Sequence, residues 1–219
     1  MDDVHLDLAT LGERFFESFI LSNGQTCYLS MRILVPSSRY DEIIEVLETF
    51  VRSLKIEDAL DPATQIGPMA TRAHRDRVEA YIATGVAEGA RLLVGGGRPV
   101  DLPDGWFVEP TLFVGVDNAS TIAREEIFGP VLSVIRHEDE DDAVRLANES
   151  DYGLGGTVWS ADPERAMAIA RRMDTGTVGI NRYLPDPSSP FGGVKASGLG
   201  RERGPGALDA YVQTKAIFG

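Results

Sequence analysis

The second half of this chain alternates short apolar runs with helical patterns, and this alternation constrains the fold more than any other feature. Residues 131–135, 155–159 and 177–180 have the character of strands, and the helical patterns at 139–148 and 162–173 separate them. Strands joined through helices usually pair in parallel within one sheet. The sequence therefore predicts an α/β protein with an open, mostly parallel twisted sheet and helices on both faces.

The first half continues this pattern. Apolar residues at helical spacing predict a first helix over 8–21, with Asp7 as its cap. Residues 29–35 form an apolar run that predicts a strand. Ser38 is expected to cap a second amphipathic helix, and a third is predicted over 71–88. The first strand is thus expected between two helices that share one core.

Cys27 is the only cysteine of the chain, and it follows the predicted end of the first helix. Asn23 and Gly24 form a helix stop, because glycine readily adopts the left-handed backbone conformation. A thiolate attacks carbonyl carbon, and a cysteine in a turn can present its side chain and backbone N–H to a cleft. Two interpretations stay open from the residues alone: a nucleophile, or a small core residue, since free cysteine is often buried.

Composition excludes several classes of partner. The chain has 34 acidic and 21 basic residues, a formal net charge of -13, so it lacks the basic face that nucleic-acid binding needs. It has no signal-peptide pattern and no apolar run near the roughly 18 residues of a membrane span. One cysteine permits neither an internal disulfide nor a thiolate metal cluster. We expect a soluble, cytoplasmic protein with no metal, nucleic-acid or membrane partner.

Three loops are candidates for a functional site, because reacting groups collect at the carboxyl ends of parallel strands. In 124–130, two carboxylates precede Phe128, and from the residues alone this segment is a charged turn with the ring tucked inward. Asn181 follows the last strand and either orients a polar ligand or caps its loop. The glycines of 190–200 match neither a dinucleotide fingerprint nor a Walker motif, so a folded-over surface loop is expected.

Three segments, in order along the chain, resemble motifs of the aldehyde dehydrogenase superfamily. The stretch 24–27, Gly-Gln-Thr-Cys, is similar to the Gly-Gln-x-Cys nucleophile motif, and 125–130 resembles the Glu-Ile-Phe-Gly-Pro motif. Residues 190–198 resemble the Pro-Phe-Gly-Gly-x-Lys-x-Ser-Gly segment. The resemblance covers nearly the whole chain. It implies that residues 1–219 are the nucleophile-bearing catalytic domain, with 208–219 as a closing helix end and tail strand.

The resemblance also implies roles for five residues. Cys27 would be the catalytic nucleophile in the oxidation of an aldehyde to a carboxylic acid through a thiohemiacetal and a thioester. Glu126 would hydrogen-bond the ribose of the NAD or NADP nicotinamide, and Phe128 would contact the nicotinamide side of the cofactor. Phe191 would line the aldehyde channel, and Asn181 would help to shape the substrate site.

The chain departs from the family pattern ahead of the nucleophile. In the family, the cofactor-binding domain, a Glu-Leu-Gly-Gly segment carrying the general base and an oxyanion-hole asparagine lie mostly upstream, but only 26 residues precede Cys27 here. We therefore expect that the cofactor-binding domain is absent, that NAD(P) binds weakly or not at all, and that aldehyde turnover by this chain alone is negligible. A strand near the C-terminus joins subunits in relatives, so a homo-oligomer is expected.

Two alternatives from other classes remain open. A cysteine hydrolase would need an imidazole beside Cys27, and the candidates are His5, His74 and His137. A non-catalytic interaction module would instead bind another chain through the aromatic face of the first helix and exposed sheet surfaces.

Overall fold

The computed structural model describes residues 3–219 of the chain, which form an α/β structure. The helices are α1 (Leu8–Phe15), α2 (Tyr40–Ser53), α3 (Arg72–Ala87), α4 (Thr121–Arg124), α5 (Glu140–Asn148) and α6 (Pro163–Ala170). The strands are β1 (Arg32–Pro36), β2 (Arg91–Val94), β3 (Thr111–Val114), β4 (Val131–His137), β5 (Tyr152–Gly153), β6 (Gly155–Val158), β7 (Thr177–Ile180) and β8 (Val194–Lys195). The alternation predicted for the second half is therefore present.

The strands form three open groups. The largest has the order β1-β4-β3-β2, in which β1, β4 and β3 are parallel and β2 runs antiparallel to β3. β6 pairs in parallel with β7, and β5 pairs antiparallel with β8. The predicted α/β fold with an open, mostly parallel sheet is confirmed. The division into separate groups was not predicted, because residue periodicity identifies a strand but not its neighbour.

Helices cover both faces of the four-stranded sheet. Successive residues of a strand point to opposite faces, and β1, β3 and β4 divide their apolar side chains accordingly. One buried cluster joins α1 and α2 to alternate strand residues, among them Ile33 and Leu132. The other joins α3, α4 and α5 to the residues between them, among them Phe113 and Val131. This burial on two faces explains why the strands are apolar without alternation.

Of the two helix caps predicted from the sequence, one is present in the structure. Asp7 caps α1 as predicted, because its carboxylate accepts a hydrogen bond of 3.0 Å from the Ala9 N–H. The predicted cap by Ser38 on α2 is wrong. A short 3-10 turn, Ser37–Arg39, runs directly into α2, and the Tyr40 N–H bonds to the Ser37 carbonyl, so the helix begins without a side-chain cap.

The C-terminal segment differs from the predicted helix end and tail strand. Residues Pro205–Tyr211 form a short 3-10 turn, and no strand follows it within the described residues. Ile217 and Phe218 are 87% and 93% exposed. A strand needs a neighbouring strand to satisfy its backbone groups, and no strand of residues 3–219 pairs with this tail. Among residues 3–219, every helix is too short or too polar to cross a membrane.

Candidate functional site

Cys27 lies in an exposed turn created by the abrupt end of the first helix. After α1 the chain continues through a wide π-type turn and then reverses at three consecutive residues with left-handed backbone. Their φ angles are 54° at Ser22, 59° at Asn23 and 72° at Gly24. Asparagine and glycine tolerate this conformation better than other residues, so the sequence-predicted helix stop is the device that carries Cys27 out to the surface.

Two polar side chains fasten this turn to the loop at residues 67–70. Asn23 is 7% exposed, and its amide group donates to the carbonyls of Gly67 and Pro68 at 2.9 Å each. Its carbonyl oxygen accepts from the Gly67 N–H at 3.1 Å. Gln25 accepts from the Ala70 N–H at 3.1 Å. The turn is thus held on both sides of Gly24 by bonds to a segment distant in the chain.

Gly24 brings the Cys27 turn against the loop that carries Glu126 and Phe128. A β-carbon built on Gly24 would lie 2.1 Å from the carbonyl oxygen of Gly129 and 2.5 Å from its carbonyl carbon. Only a residue without a side chain permits this contact between two backbones. The glycine of the Gly-Gln-x-Cys motif therefore places that motif directly beside the Glu-Ile-Phe-Gly-Pro motif.

Helix α3 holds the loop that carries Glu126 and Phe128 in place. His74 Nε2 bonds to the Phe128 carbonyl, and the Arg77 guanidinium donates to the Glu126 carbonyl at 2.8 Å. Tyr81 Oη donates to the Glu125 carboxylate at 2.7 Å. The three α3 residues are spaced 74, 77 and 81, which places them on one helix face. In the sequence, this spacing is the one signal that the three residues support the same loop. The sequence analysis names only His74, as a candidate partner of Cys27.

The backbone of Phe128 has a φ of 54°, which costs a residue with a side chain about 1–2 kcal/mol. Such strain persists only where surrounding contacts enforce it, and it is common at ligand sites. Burial raises the pKa of the neighbouring Glu126 carboxyl, and the positive charge of Arg77 opposes that rise. The loop thus presents an aromatic ring and a partly desolvated carboxyl group.

One cavity of about 300 Å³ connects these groups. Cys27, Glu126 and Phe128 all line it, together with Ser197 from the third loop. The structure therefore brings together three of the five residues singled out from the sequence. The Cys27 N–H has no hydrogen-bond partner among residues 3–219, so it can donate to an oxyanion formed by addition of the Cys27 sulfur to a carbonyl group.

Phe191 does not line this cavity and lies in an aromatic cluster formed by Tyr28, Tyr183 and Phe191. The rings of Tyr28 and Tyr183 stack with centroids 5.1 Å apart, and Phe191 meets Tyr28 edge-on at 6.4 Å. The pKa of Tyr183 is raised, chiefly because its side chain is buried, and a negative charge on Cys27 adds to the rise. Tyr28 follows Cys27 directly in the chain, so the cluster lies next to the Cys27 turn, and its two tyrosines are members that the sequence did not single out.

Asn181 does not line the cavity that Cys27 lines, but its side chain bonds to Ser160, which does. Its carbonyl oxygen accepts from the Ser160 N–H at 2.9 Å, and its amide donates to the Ser160 carbonyl at 2.7 Å. Both bonds join the ends of β6 and β7. In the third loop, Lys195 Nζ donates to the Asn148 carbonyl at 2.7 Å and Ser197 Oγ accepts from the Gly153 N–H at 3.0 Å. The third loop is therefore folded onto the neighbouring segment.

Two of the three histidines form hydrogen bonds to backbone carbonyls among residues 3–219. His74 bonds to the Phe128 carbonyl, His137 Nδ1 lies 3.0 Å from the Asp139 carbonyl, and His5 is exposed near Glu42. Within residues 3–219, none of them bonds to the Cys27 sulfur. The geometry supplies no imidazole for a cysteine hydrolase.

Comparison with known proteins gives a consistent match. The model of the aldehyde dehydrogenase family matches residues 1–217. A geranial dehydrogenase of Castellaniella defragrans is 57% identical over 212 residues, which cover 97% of this chain and 44% of that protein. A betaine aldehyde dehydrogenase of Rhizobium leguminosarum is 43% identical, over 99% of this chain and 45% of that protein. The chain spans less than half the length of these curated relatives.

Solved structures agree with the sequence match. An aldehyde dehydrogenase of Mycobacterium tuberculosis complexed with NAD+ superposes with a TM-score of 0.93 at 49% identity, covering 97% of this chain and 44% of that chain. A cysteine-to-alanine mutant of aldehyde dehydrogenase C from Pseudomonas syringae, complexed with NAD+ and octanal, gives a TM-score of 0.94 at 37% identity. That match covers 99% of this chain and 44% of that chain.

Proposed function

Because the chain belongs to the aldehyde dehydrogenase family, we propose that Cys27 is the nucleophile in the NAD(P)-dependent oxidation of an aldehyde to a carboxylic acid. The observation that carries this proposal is the contact of Gly24 with Gly129, which places the Cys27 turn and the loop of Glu126 and Phe128 around one cavity. Residues 1–219 then act as the nucleophile-bearing domain of this reaction.

The first step needs a thiolate and an oxyanion donor. The Cys27 sulfur adds to the aldehyde carbon and forms a thiohemiacetal, whose oxygen accepts a hydrogen bond from the Cys27 N–H. Glu126 and Phe128 would hold a bound NAD(P), which would supply the hydride acceptor; as the hydride leaves the carbon, the oxyanion re-forms a C=O group and Cys27 carries a thioester. Water then releases the carboxylic acid and restores the thiol, and a general base must activate that water. Only Cys27 is assigned to these steps within this chain.

Two residues of the chain fit a nicotinamide cofactor by their chemistry. The Glu126 carboxylate can accept hydrogen bonds from ribose hydroxyls, and the Phe128 ring offers a flat apolar surface. Both line the cavity that reaches Cys27. We propose these positions for the cofactor contact. Because the chain spans under half of its relatives, we expect the isolated 219 residues to bind NAD(P) weakly and to oxidise aldehydes negligibly.

An activated ester tests the nucleophile without any cofactor. Thiolate attack on p-nitrophenyl acetate passes through the same type of oxyanion and releases coloured p-nitrophenolate, leaving an acetyl group on the sulfur. Peptide mapping should locate the acetyl group on Cys27, and C27S should release p-nitrophenolate far more slowly. Acetylation at lysines with equal rates in both proteins would overturn the assignment. Robust NAD-dependent oxidation of a simple aldehyde by the 219-residue chain would overturn the expectation of weak activity.

We further propose that the aldehyde is apolar. The aromatic cluster of Tyr28, Tyr183 and Phe191 lies next to Cys27 and offers packing surface for a hydrocarbon chain. Competition against alkylation of Cys27 by iodoacetamide provides the test. Octanal should slow alkylation at a lower concentration than betaine aldehyde, which carries a permanent charge. Equal protection by both aldehydes would contradict this proposal.

We also propose that the chain forms a homo-oligomer through its tail. Tyr211, Val212, Ile217 and Phe218 are between 66% and 93% exposed, and a run of exposed apolar side chains commonly marks an association surface. Light scattering on the full chain and on I217S/F218S should show a loss of the larger species in the variant. A full chain that is monomeric at high concentration would contradict the proposal.

A further inference from the structure

Arg203 lies over the aromatic cluster of Tyr28, Tyr183 and Phe191. Two backbone hydrogen bonds fix the segment before it, because the Phe191 N–H donates to the Glu202 carbonyl at 2.7 Å and the Glu202 N–H donates to the Phe191 carbonyl at 2.8 Å. Arg203 then turns the chain with a left-handed φ of 61°. Its guanidinium carbon lies 5.1 Å from the centroid of the Phe191 ring, a distance at which an aromatic ring attracts a cation. The backbone therefore places a positive charge on this cluster.

Among residues 3–219, no close acceptor neutralises the charge of Arg203. The Arg203 Nε lies 3.9 Å from the Glu202 carboxylate, and the Glu202 side chain is 68% exposed, so this ion pair contributes little. The guanidinium donates no hydrogen bond to the described part of the chain. Arginine also stays protonated throughout the ordinary pH range. Its field therefore acts on any molecule that packs against the Phe191 ring.

The charge of Arg203 also reaches the surroundings of Cys27. The pKa values of Tyr28 and Tyr183 are raised, chiefly because of burial. A negative charge on Cys27 adds to both rises, and the positive charge of Arg203 opposes both. The same two hydroxyl groups thus lie within electrostatic range of Cys27 and of Arg203. An aldehyde that packs on this cluster while it reacts with Cys27 lies within that range too.

Three aromatic rings without an arginine would favour a cationic aldehyde. Aromatic faces attract quaternary ammonium groups through the negative potential above the ring. In this chain the Arg203 guanidinium already lies over the Phe191 ring, and it repels a second cation. Specificity commonly depends on such a repulsive group as well as on attractive contacts.

We propose that Arg203 selects the aldehyde by its charge: the guanidinium over the Phe191 ring disfavours a positive charge near the carbonyl group, so the substrates are neutral or anionic aldehydes. This inference rests on the proposed function of Cys27 and deepens it. Packing against aromatic rings does not by itself reject a cationic aldehyde that has the shape of a neutral one. Arg203 supplies that distinction and takes no part in bond making.

A pair of aldehydes with the same shape and different charge tests the proposal. Betaine aldehyde has a quaternary nitrogen atom, and 3,3-dimethylbutanal has a carbon atom in its place. Each aldehyde is titrated against the alkylation of Cys27 by iodoacetamide in the purified 219-residue chain. The readout is the half-protecting concentration of betaine aldehyde divided by that of 3,3-dimethylbutanal. A change in the reactivity of Cys27 itself affects both concentrations equally and cancels in this ratio.

Four variants test whether the ratio depends on the charge at position 203. R203M keeps an unbranched side chain that packs on aromatic rings, and it should lower the ratio about threefold, the Coulomb effect of one charge about 7 Å away in water. R203E reverses the charge and should lower the ratio about tenfold. R203K retains the charge and should keep the wild-type ratio. R91M is the matched control, because Arg91 is exposed on β2, at the opposite end of the four-stranded sheet from β1.

Salt tests the electrostatic origin without any substitution. The wild-type ratio should fall between about 0.01 M and 1 M sodium chloride, because the screening length shortens from about 30 Å to about 3 Å. The ratio of R203M should fall less. All variants are checked for native circular dichroism, and the salt dependence of the wild-type chain decides the outcome if a variant does not fold. A wild-type ratio that is independent of salt would contradict the proposal.

Equal ratios in wild type, R203M and R203E would overturn the proposal. An equal fall in R91M would also overturn it, because the effect would then belong to the net charge of the chain. Protection of Cys27 by neither aldehyde would overturn it as well. Acetylation of Cys27 by p-nitrophenyl acetate separates this proposal from the proposed function. Loss of acetylation in wild type would overturn the proposed function, whereas normal acetylation with unchanged ratios would overturn the role of Arg203 alone.

Discussion

Replacement of Gly24 by alanine should damage the site more than its small size suggests. The added methyl group must be accommodated at a φ of 72°, and it would lie 2.1 Å from the Gly129 carbonyl oxygen. The obstructing atoms belong to backbone rather than to a flexible side chain, so relief requires one loop to move. We expect G24A to separate the Cys27 turn from the loop that carries Glu126 and Phe128.

The expected loss of unfolding free energy in G24A has two parts, and a matched variant separates them. Left-handed backbone at a residue with a β-carbon costs about 1–2 kcal/mol, and forcing extra volume into a packed contact costs about 1–3 kcal/mol more. Gly115 has a φ of 65°, and no heavy atom beyond its chain neighbours lies within 4 Å of the position that a β-carbon would take there, so G115A should show the first cost alone. G24A should therefore lose about 2–5 kcal/mol of unfolding free energy in total.

Urea denaturation and acetylation of Cys27 measure the two consequences. G24A should have a clearly lower unfolding free energy than G115A, and its folded fraction should release p-nitrophenolate more slowly than wild type. G115A should retain the wild-type rate of acetylation. Equal destabilisation of the two variants, with unchanged acetylation in both, would refute the argument that backbone contact at Gly24 builds the site.

Three further changes test the supports of the site. N23A removes three hydrogen bonds to the 67–70 loop and should lower the unfolding free energy by about 1–3 kcal/mol in urea denaturation. An unchanged urea midpoint would contradict the stabilising role of these bonds. R77Q weakens the hold on the Glu126 carbonyl and should loosen that loop, seen as faster hydrogen exchange in 124–129, whereas unchanged exchange would remove Arg77 from the support. Burial raises the pKa of Tyr183 above its usual 10.0, so its contribution to stability is complete below pH 10 and declines as pH rises further. Y183F should therefore show a smaller loss of unfolding free energy above about pH 10 than wild type, and identical profiles would refute this.

Local patterns were sufficient for most elements of the fold. The strand predicted over 177–180 has those bounds in β7, and Asp7 caps α1 as expected. Spacing and capping depend on near neighbours in sequence, so one sequence reveals them. The separation of β1 from β6 depends on which strands meet in space, and the tail at 212–219 depends on a neighbour to pair with. Neither is encoded in local periodicity.

In the site, too, local sequence patterns identify residues but do not reveal the contacts between distant parts of the chain. Motif spacing identifies Cys27, Glu126 and Phe128, and the structure places all three on one cavity. The contacts that hold them link residues far apart in the chain, so spacing does not reveal them. The sequence indicates a helix stop at Asn23, yet its side chain also bonds to a loop 44 residues away. The sequence offers His74 as a partner for Cys27, yet it bonds to the Phe128 carbonyl.

The most direct test of the central claim compares the Cys27 thiol in the folded chain with the same thiol in the unfolded chain. The rate of acetylation by p-nitrophenyl acetate is measured at one pH in buffer and in urea, with C27S subtracted as background. If the fold presents Cys27 as a nucleophile beside an oxyanion donor, the folded chain should react faster than the unfolded chain. A folded chain that reacts at the same rate or more slowly would contradict the account.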